Sequence, residues 1–348
     1  MRPLLPHEDI DFICNETAAL WPELRGKRIF LTGGTGFFGC WLIESFLAAN
    51  QRFHLNAQLV VLTRSPEGFL EKCPHLAGQS ALRLERGDVR SFAFPDGEFS
   101  FVIHAATEAN ARLNAENPME MLSTILDGTR RTLEFAAEHG TRKFLFTSSG
   151  AIYGRQPEKI SHIPEEYAGA PDPLNPDTAY ANGKRTAELM CMLYAKATAM
   201  EIKIARCFAF VGPHLPLDAH FAIGNFIRDA MQGDIIRVNG DGTPKRSYLY
   251  ASDLTIWLWT MLFRAPSGVA FNVGSDEAVS IRQLASAVAE IIHPAIEIQV
   301  AQEPAPGAPL LQYVPSVDRA KQQLQLKVNI PLQEAIGRTA AWYGHQGR

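Results

Sequence analysis

The feature that most constrains this chain is a glycine loop, Gly33-Gly34-Thr35-Gly36-Phe37-Phe38-Gly39. It stands directly after the apolar run Arg28–Thr32 and directly before a helical pattern over Cys40–Asn50. One glycine lets the chain turn tightly off a strand, a second lets backbone approach a pyrophosphate, and a third lets helix pack on sheet. The following helix offers unpaired N–H groups and a positive dipole end to phosphate oxygens. Strand, glycines Gly33, Gly36 and Gly39, and helix together predict the opening βαβ unit of a dinucleotide-binding fold.

Strand and helix patterns then alternate. Gln58–Thr63, Leu82–Leu84, Phe101–His104, Lys143–Thr147 and Glu201–Arg206 read as strands, and Pro118–His139 and Tyr180–Ala197 as helices. Such alternation predicts a parallel sheet, and right-handed crossovers make it doubly wound. The expected fold class is α/β, a Rossmann-like doubly wound parallel sheet with a smaller C-terminal α/β domain. Residues 1–27 read as an N-terminal helical extension and 28–210 as the NAD(P)-binding domain, to which later segments are free to return. From 211 to 348 Gly and Pro punctuate shorter segments, with helices at Ile281–Ile292 and Leu332–Tyr343.

Composition narrows the functional classes. Of 348 residues 46% are hydrophobic, enough for a sizeable core, and the formal net charge of -4 has no Lys/Arg block, which argues against nucleic acid as a partner. No run of about 18 apolar residues exists to suggest a membrane span. The charged N-terminus does not read as a signal peptide. The 5 scattered cysteines lack metal-like spacing and fit buried reduced thiols in a cytoplasmic protein.

An acid at the end of the second strand normally holds the adenosine ribose of NAD. Here that strand ends Leu62-Thr63-Arg64-Ser65. Arg64 suits a 2′-phosphate, with Ser65 or Thr63 assisting, and tips the choice between NAD and NADP toward NADP. Asp88 follows the third strand and is placed to accept a hydrogen bond from an adenine amino group; a plain turn aspartate reads the same way.

Tyr180 and Lys184 stand at i and i+4, on one helix face. A cation beside the phenol is expected to lower its pKa, making it a base for a sugar hydroxyl while hydride leaves to nicotinamide. Lys184 is also placed to meet the nicotinamide ribose. Strand Lys143–Thr147 runs into Ser148-Ser149 at the sheet edge where ligands bind in open α/β folds. Ser149 offers a hydroxyl to the same oxygen, or caps a helix.

The chain resembles the extended short-chain dehydrogenase/reductases, in particular the nucleotide-sugar epimerase/dehydratase branch. The resemblance rests on Thr32 to Gly39, Gly87-Asp88-Val89, His104-Ala105-Ala106, Thr147 to Gly154, Tyr180-x-x-x-Lys184, Arg206-x-Phe208, Val211-Gly212-Pro213 and Tyr250-x-x-Asp253, in the family's order. It implies that Tyr180 is the base, Lys184 its partner and Ser149 the hydroxyl co-donor. It implies a dinucleotide lined by Gly33, Gly36, Phe37, Phe38, Gly39, Asp88, Val89, Ala105 and Ala106. The C-terminal domain becomes the one that binds a nucleotide-diphosphate sugar, with Thr107, Asn225 and Arg246 beside Ser149 as substrate contacts. A homodimer through Pro118–His139 and Tyr180–Ala197 is implied as well, although Met119, Leu122, Ile125, Leu126 and Leu133 also suit a monomer core.

Departures from the family pattern bear on the reaction. Dehydrating relatives resemble one another in an Asp-Glu pair after the catalytic hydroxyl residue, and decarboxylating ones in a Glu two residues after it; here those positions are Gly150 and Ala151. Water elimination needs an acid for the leaving hydroxyl. A 4,6-dehydratase is therefore disfavoured unless Glu108 or Glu165 arrives from elsewhere. Ala209 replaces a usual Asn, and the late arginine falls near Gln312-Tyr313, where there is none, with Arg319 nearby. His214 and His220 are candidates to reach the sugar. The leading expectation is a nucleotide-sugar 4-epimerase acting through a 4-keto intermediate. The alternatives are an NADPH-dependent 4-keto-sugar reductase, a UDP-glucuronate-type decarboxylase, and a dinucleotide-sensing regulator without catalysis.

Overall fold

The computed structural model describes residues 2–107, 111–219, 221–307 and 309–344. Glu108 and His220 lie outside the described residues.

Seven strands form one sheet: β1 (Arg28–Thr32), β2 (Gln58–Thr63), β3 (Leu82–Arg86), β4 (Phe101–His104), β5 (Lys143–Ser149), β6 (Glu201–Cys207) and β7 (Ala270–Val273). Their order across the sheet is β7-β6-β5-β4-β1-β2-β3, and every pairing is parallel. The central strands are buried along their length, as expected where helices cover both faces. Strand order reverses between β1 and β4, so the loops after these strands diverge to opposite faces and leave a crevice between them.

Helix α1 (His7–Glu16) belongs to the N-terminal extension, α2 (Phe37–Arg52) follows the glycine loop, and α3 (Pro118–Glu138) packs against α4 (Ala179–Ala197). The extension is fastened to distant parts of the chain. Asp9 is fully buried and accepts a bond from the Tyr250 hydroxyl at 2.6 Å, with Arg338 as its ion-pair partner. Trp21 packs edge-on against Trp259, with ring centroids 4.9 Å apart.

Beyond β6 come α5 (Ala222–Gln232), α6 (Ala251–Arg264), α7 (Ile281–Ile292) and α8 (Leu332–Gly344). Strand β7 brings the chain back to the main sheet beside β6. A separate three-stranded sheet joins Val279–Ser280, Lys245–Arg246 and Gln312–Tyr313. That small sheet carries Arg246 and Tyr313 as paired neighbours. Among the described residues no helix is long and apolar enough to cross a membrane, and all five cysteines are buried.

Candidate active site

The crevice is built by close backbone contact. Gly33 has φ +75°, and a Cβ there would lie 2.4 Å from the Ala105 carbonyl oxygen. The loops after β1 and β4 therefore touch backbone to backbone. Ala105 N–H donates to the Thr32 carbonyl at 3.2 Å and Ala106 N–H to the Thr32 hydroxyl at 3.2 Å. That hydroxyl also meets His104 Nδ1 at 2.7 Å, and His104 Nε2 meets Thr129 at 3.1 Å. Burial, and secondarily the charge of Lys184, push the imidazole down to about 3, so His104 is neutral.

Gly39 is equally constrained, since a Cβ would fall 2.2 Å from Gly34. Gly36 differs: it is exposed, and its Cβ would meet only the Gly33 oxygen at 3.5 Å. It is the N-cap of α2, and no side chain caps that helix. The first N–H groups of α2, on Phe37, Phe38 and Gly39, are left for a ligand. A dinucleotide pyrophosphate fits this cradle. Phe38 turns its ring edge-on to Phe210, with centroids 5.1 Å apart.

Around the adenosine end, Arg64 is exposed just beyond β2, and its carbonyl accepts from Arg86 at 3.2 Å. Thr63 and Ser65 have local duties: the Thr63 hydroxyl accepts from Ser65 N–H at 3.3 Å, and Ser65 caps the next helix through Gly68 N–H. Asp88 accepts from the Arg90 guanidinium at 2.8 Å, which holds its carboxyl down to about 2. Val89 packs on α3, where a Cβ at Gly128 would come within 2.9 Å of it. Thr107 donates to the Ala106 carbonyl at 2.7 Å at the mouth of the crevice.

Tyr180, Lys184 and Ser149 come together below this crevice. Ser149 ends β5 and accepts from Ala151 N–H at 3.2 Å, so it caps a short 3-10 turn while its hydroxyl is placed to hydrogen-bond the Tyr180 phenol. Tyr180 itself is positioned by its own N–H, which donates to Asn114 at 3.0 Å. Lys184 is buried and donates to the Thr147 carbonyl at 2.7 Å, with its ammonium 4.8 Å from the Phe146 ring centroid.

The electrostatics differ from the sequence expectation. Burial pushes the Tyr180 phenol up to about 12, and the group that lowers it is Ser149 rather than Lys184. Burial also holds the Lys184 ammonium down to about 8. Sharing a helix face placed the two residues in one site, but desolvation outweighs any effect of the lysine on the phenol.

Tyr313 joins the same cluster and was not foreseen from sequence. Its phenol is placed to hydrogen-bond Ser149, and Tyr180 lies close enough to act on its charge. Its ring packs on Phe208 at 4.6 Å. Arg246, on the adjoining strand, sets its guanidinium 5.8 Å from the Tyr313 ring centroid. Arg246 is thereby brought to the hydroxyl cluster. Asn225 lies on α5, where its side-chain oxygen accepts a long 3.5 Å bond from Arg228 of the same helix.

Other candidates are engaged elsewhere. Glu165 is buried and accepts from Asn272 N–H at 2.9 Å; burial raises its pKa. Arg319 donates to the Ala270 carbonyl at 2.7 Å and pairs with Glu166, so it supports the sheet edge rather than a diphosphate. His214 is buried against Glu44, at 3.8 Å, and Trp342, with ring centroids 4.7 Å apart, and faces those groups instead of a sugar. Arg206 pairs with Glu188 at 2.8 Å and donates to the Tyr153 hydroxyl at 2.9 Å. Glu188 accepts from Ser148 at 2.6 Å, so this buried network braces the residue next to Ser149.

Residues 29–274 match the NAD dependent epimerase/dehydratase family. The chain belongs to that family. Family membership makes it an enzyme of nucleotide-sugar chemistry on a Rossmann-like fold. It is 30% identical over 310 residues to UDP-glucuronic acid decarboxylase 3 of Arabidopsis thaliana, covering 89% of this chain and 86% of that one. A UDP-glucose 4-epimerase of Thermus thermophilus in complex with NAD is 25% identical with a TM-score of 0.74, covering 91% of this chain and 99% of that one. A UDP-glucose 4-epimerase of Thermotoga maritima solved with UDP-glucose shares the fold at a TM-score of 0.77 and 20% identity, covering 92% of this chain and 100% of that one.

Proposed function

We propose that this family member is a nucleotide-sugar 4-epimerase. The observation that carries the reading is the character of the cluster around Ser149: hydroxyls with no carboxylate partner among the described residues. Gly150 follows Ser149, and the space a side chain would need there is filled by the Phe208 ring at 2.6 Å. Ala151 comes next, and Glu165 is committed to the Asn272 backbone. The described residues of such a site can move a proton to and from a sugar oxygen but offer no acid for expelling water.

In its phenolate form Tyr180 takes the proton of the sugar 4-hydroxyl, Ser149 holds the oxygen, and Lys184 keeps the site positively charged. A bound nicotinamide dinucleotide would accept the hydride of C4 and return it. Returned to the opposite face of a 4-keto sugar, that hydride gives the epimer. Gly33, Gly36, Gly39, Phe37, Phe38, Asp88, Val89, Ala105 and Ala106 would line the dinucleotide, and Thr107, Asn225 and Arg246 the substrate. The exposed Met119, Leu189 and Leu193 on the α3–α4 face suit a homodimer in the cytoplasm.

A second reading, decarboxylation of a UDP-uronic acid, is favoured by the names of the curated relatives. A 4-keto acid loses CO2 without a strong acid, so the missing carboxylate weighs less against it. Arg64 favours NADP over NAD, and with that preference a 4-keto-sugar reductase. The test is to denature the purified protein and identify the released dinucleotide. Near-stoichiometric retained cofactor supports internal recycling of hydride; an empty site that binds NADPH reversibly points to the reductase. In the Arg64→Ala variant, NADP affinity is expected to fall about 10-fold or more, the worth of a charge-assisted bond. Equal loss for NAD would reject the Arg64 role.

A further inference from the structure

We propose that Tyr313 completes the site by donating a hydrogen bond to the same sugar oxygen that Tyr180 deprotonates, so that three hydroxyls, Ser149, Tyr180 and Tyr313, hold it. This rests on the C4 oxidation reading given above.

The backbone around Tyr313 is fixed from both sides. The Leu311 carbonyl accepts from Lys245 N–H at 2.8 Å. Val314 N–H donates to Gln156 Oε1 at 3.0 Å, and the Val314 carbonyl accepts from Ile163 N–H at 2.8 Å. The ring lies on Phe208 with an interplanar angle of 34°, and Phe208 in turn covers Gly150. A phenol mounted on this support is directed at the Ser149 hydroxyl. Arg246 on the adjoining strand places a cation 5.8 Å from the centroid of the same ring. Tyr313 therefore adjoins both the candidate phosphate contact and Ser149.

The two phenols around one serine differ in their neighbours. Tyr180 shares a helix face with Lys184, whereas Tyr313 is stacked on Phe208, so Tyr180 is assigned the proton transfer and Tyr313 stays a donor. In the forward step the sugar O–H proton would pass to the oxygen of Tyr180 in its phenolate form, and a bound nicotinamide would take the C4 hydride, leaving a C4 carbonyl. In the return step hydride adds to C4 and Tyr180 gives the proton back. No bond to Tyr313 forms or breaks. Its O–H stabilises the charge that develops on the oxygen as hydride returns, and donors preset in a buried site are effective in this role.

The experiment compares wild type, Tyr180→Phe and Tyr313→Phe on the nucleotide sugar that wild type converts. The measurements are kcat, KM, retained dinucleotide and calorimetric affinity for UDP. Tyr313→Phe keeps the stack on Phe208. Its kcat is expected to fall about 10- to 100-fold, at or below the loss seen for one oxyanion donor, with KM, UDP affinity and dinucleotide content unchanged. A kcat within about twofold of wild type, or a loss confined to UDP affinity, overturns the role; the twofold margin is about 0.4 kcal/mol. Should that variant not fold, 3-fluorotyrosine at position 313 keeps the shape while changing donor acidity; an unaltered kcat and pH profile overturns the role. If wild type holds dinucleotide but converts no nucleotide sugar, the reading above fails and this one with it. If wild type converts the sugar and Tyr313→Phe matches it, only the role of Tyr313 fails.

Discussion

Lys184 donates its ammonium to the Thr147 carbonyl at 2.7 Å, four residues along the helix from Tyr180. The lysine is thus held by the strand that carries Ser149, and burial keeps it down to about 8. It is charged below that value and loses its proton as pH rises through it. Dinucleotide affinity is expected to be flat below about pH 8 and to weaken above it, because the ammonium is a stronger donor to a ribose hydroxyl than the neutral amine. Titrating affinity against pH checks this. Lys184→Met should remove the dependence, and an unchanged profile in that variant would assign the titration to another group.

Tyr180→Phe keeps the ring and deletes the hydroxyl that faces Ser149. Turnover is expected to fall about 10²- to 10⁴-fold, the range for loss of a positioned proton-transfer group. Retained dinucleotide should stay at the wild-type level. Unchanged turnover would remove Tyr180 from the site.

The glycines separate fold from binding. Gly33→Ala puts a Cβ 2.4 Å from backbone at φ +75° and should destabilise the protein by about 1–3 kcal/mol. Gly36→Ala meets nothing closer than 3.5 Å and should leave the melting temperature nearly unchanged. Its methyl group instead points to where a pyrophosphate would approach, so dinucleotide affinity should drop. Paired melting and binding measurements decide this, and a Gly36→Ala variant that binds dinucleotide normally would contradict the cradle.

His104 is buried and neutral, with its pKa at about 3 against an ordinary 6.5. Between these values the unfolded chain binds a proton that the folded one refuses, so stability rises with pH. Its contribution is complete above 6.5 and is lost as pH falls toward 3. The slope it adds is at most about 1.4 kcal/mol per pH unit. Denaturant titrations from neutral to acid pH should show a shallower decline for His104→Gln. Equal slopes would mean that the imidazole is not held neutral.

The sheet was legible because strands β1, β2 and β4 are short apolar runs bounded by turns, and the structure starts and ends them where the sequence does. Helix α6 was not foreseen: twelve of its residues are buried, so the chain there has no polar face to set a helical period. In the site, Ser149, Tyr180 and Lys184 could be read because each lies on or beside a regular element of the main sheet. Tyr313 could not, because its strand is two residues long and exists through pairing with Lys245–Arg246, far away in sequence. The acidity of Tyr180 was misjudged for a related reason. Helical spacing shows which side chains share a face, whereas burial depends on the whole fold.

The most direct test incubates the purified protein in deuterated water with UDP-glucose and UDP-glucuronic acid, without added cofactor, and follows the sugar by proton NMR. A 4-epimerase converts one or both into a mixture of C4 stereoisomers, with no deuterium from solvent at C4. Release of CO2 with solvent deuterium at C5, or conversion of a 4-keto sugar only when NADPH is supplied, would contradict the account.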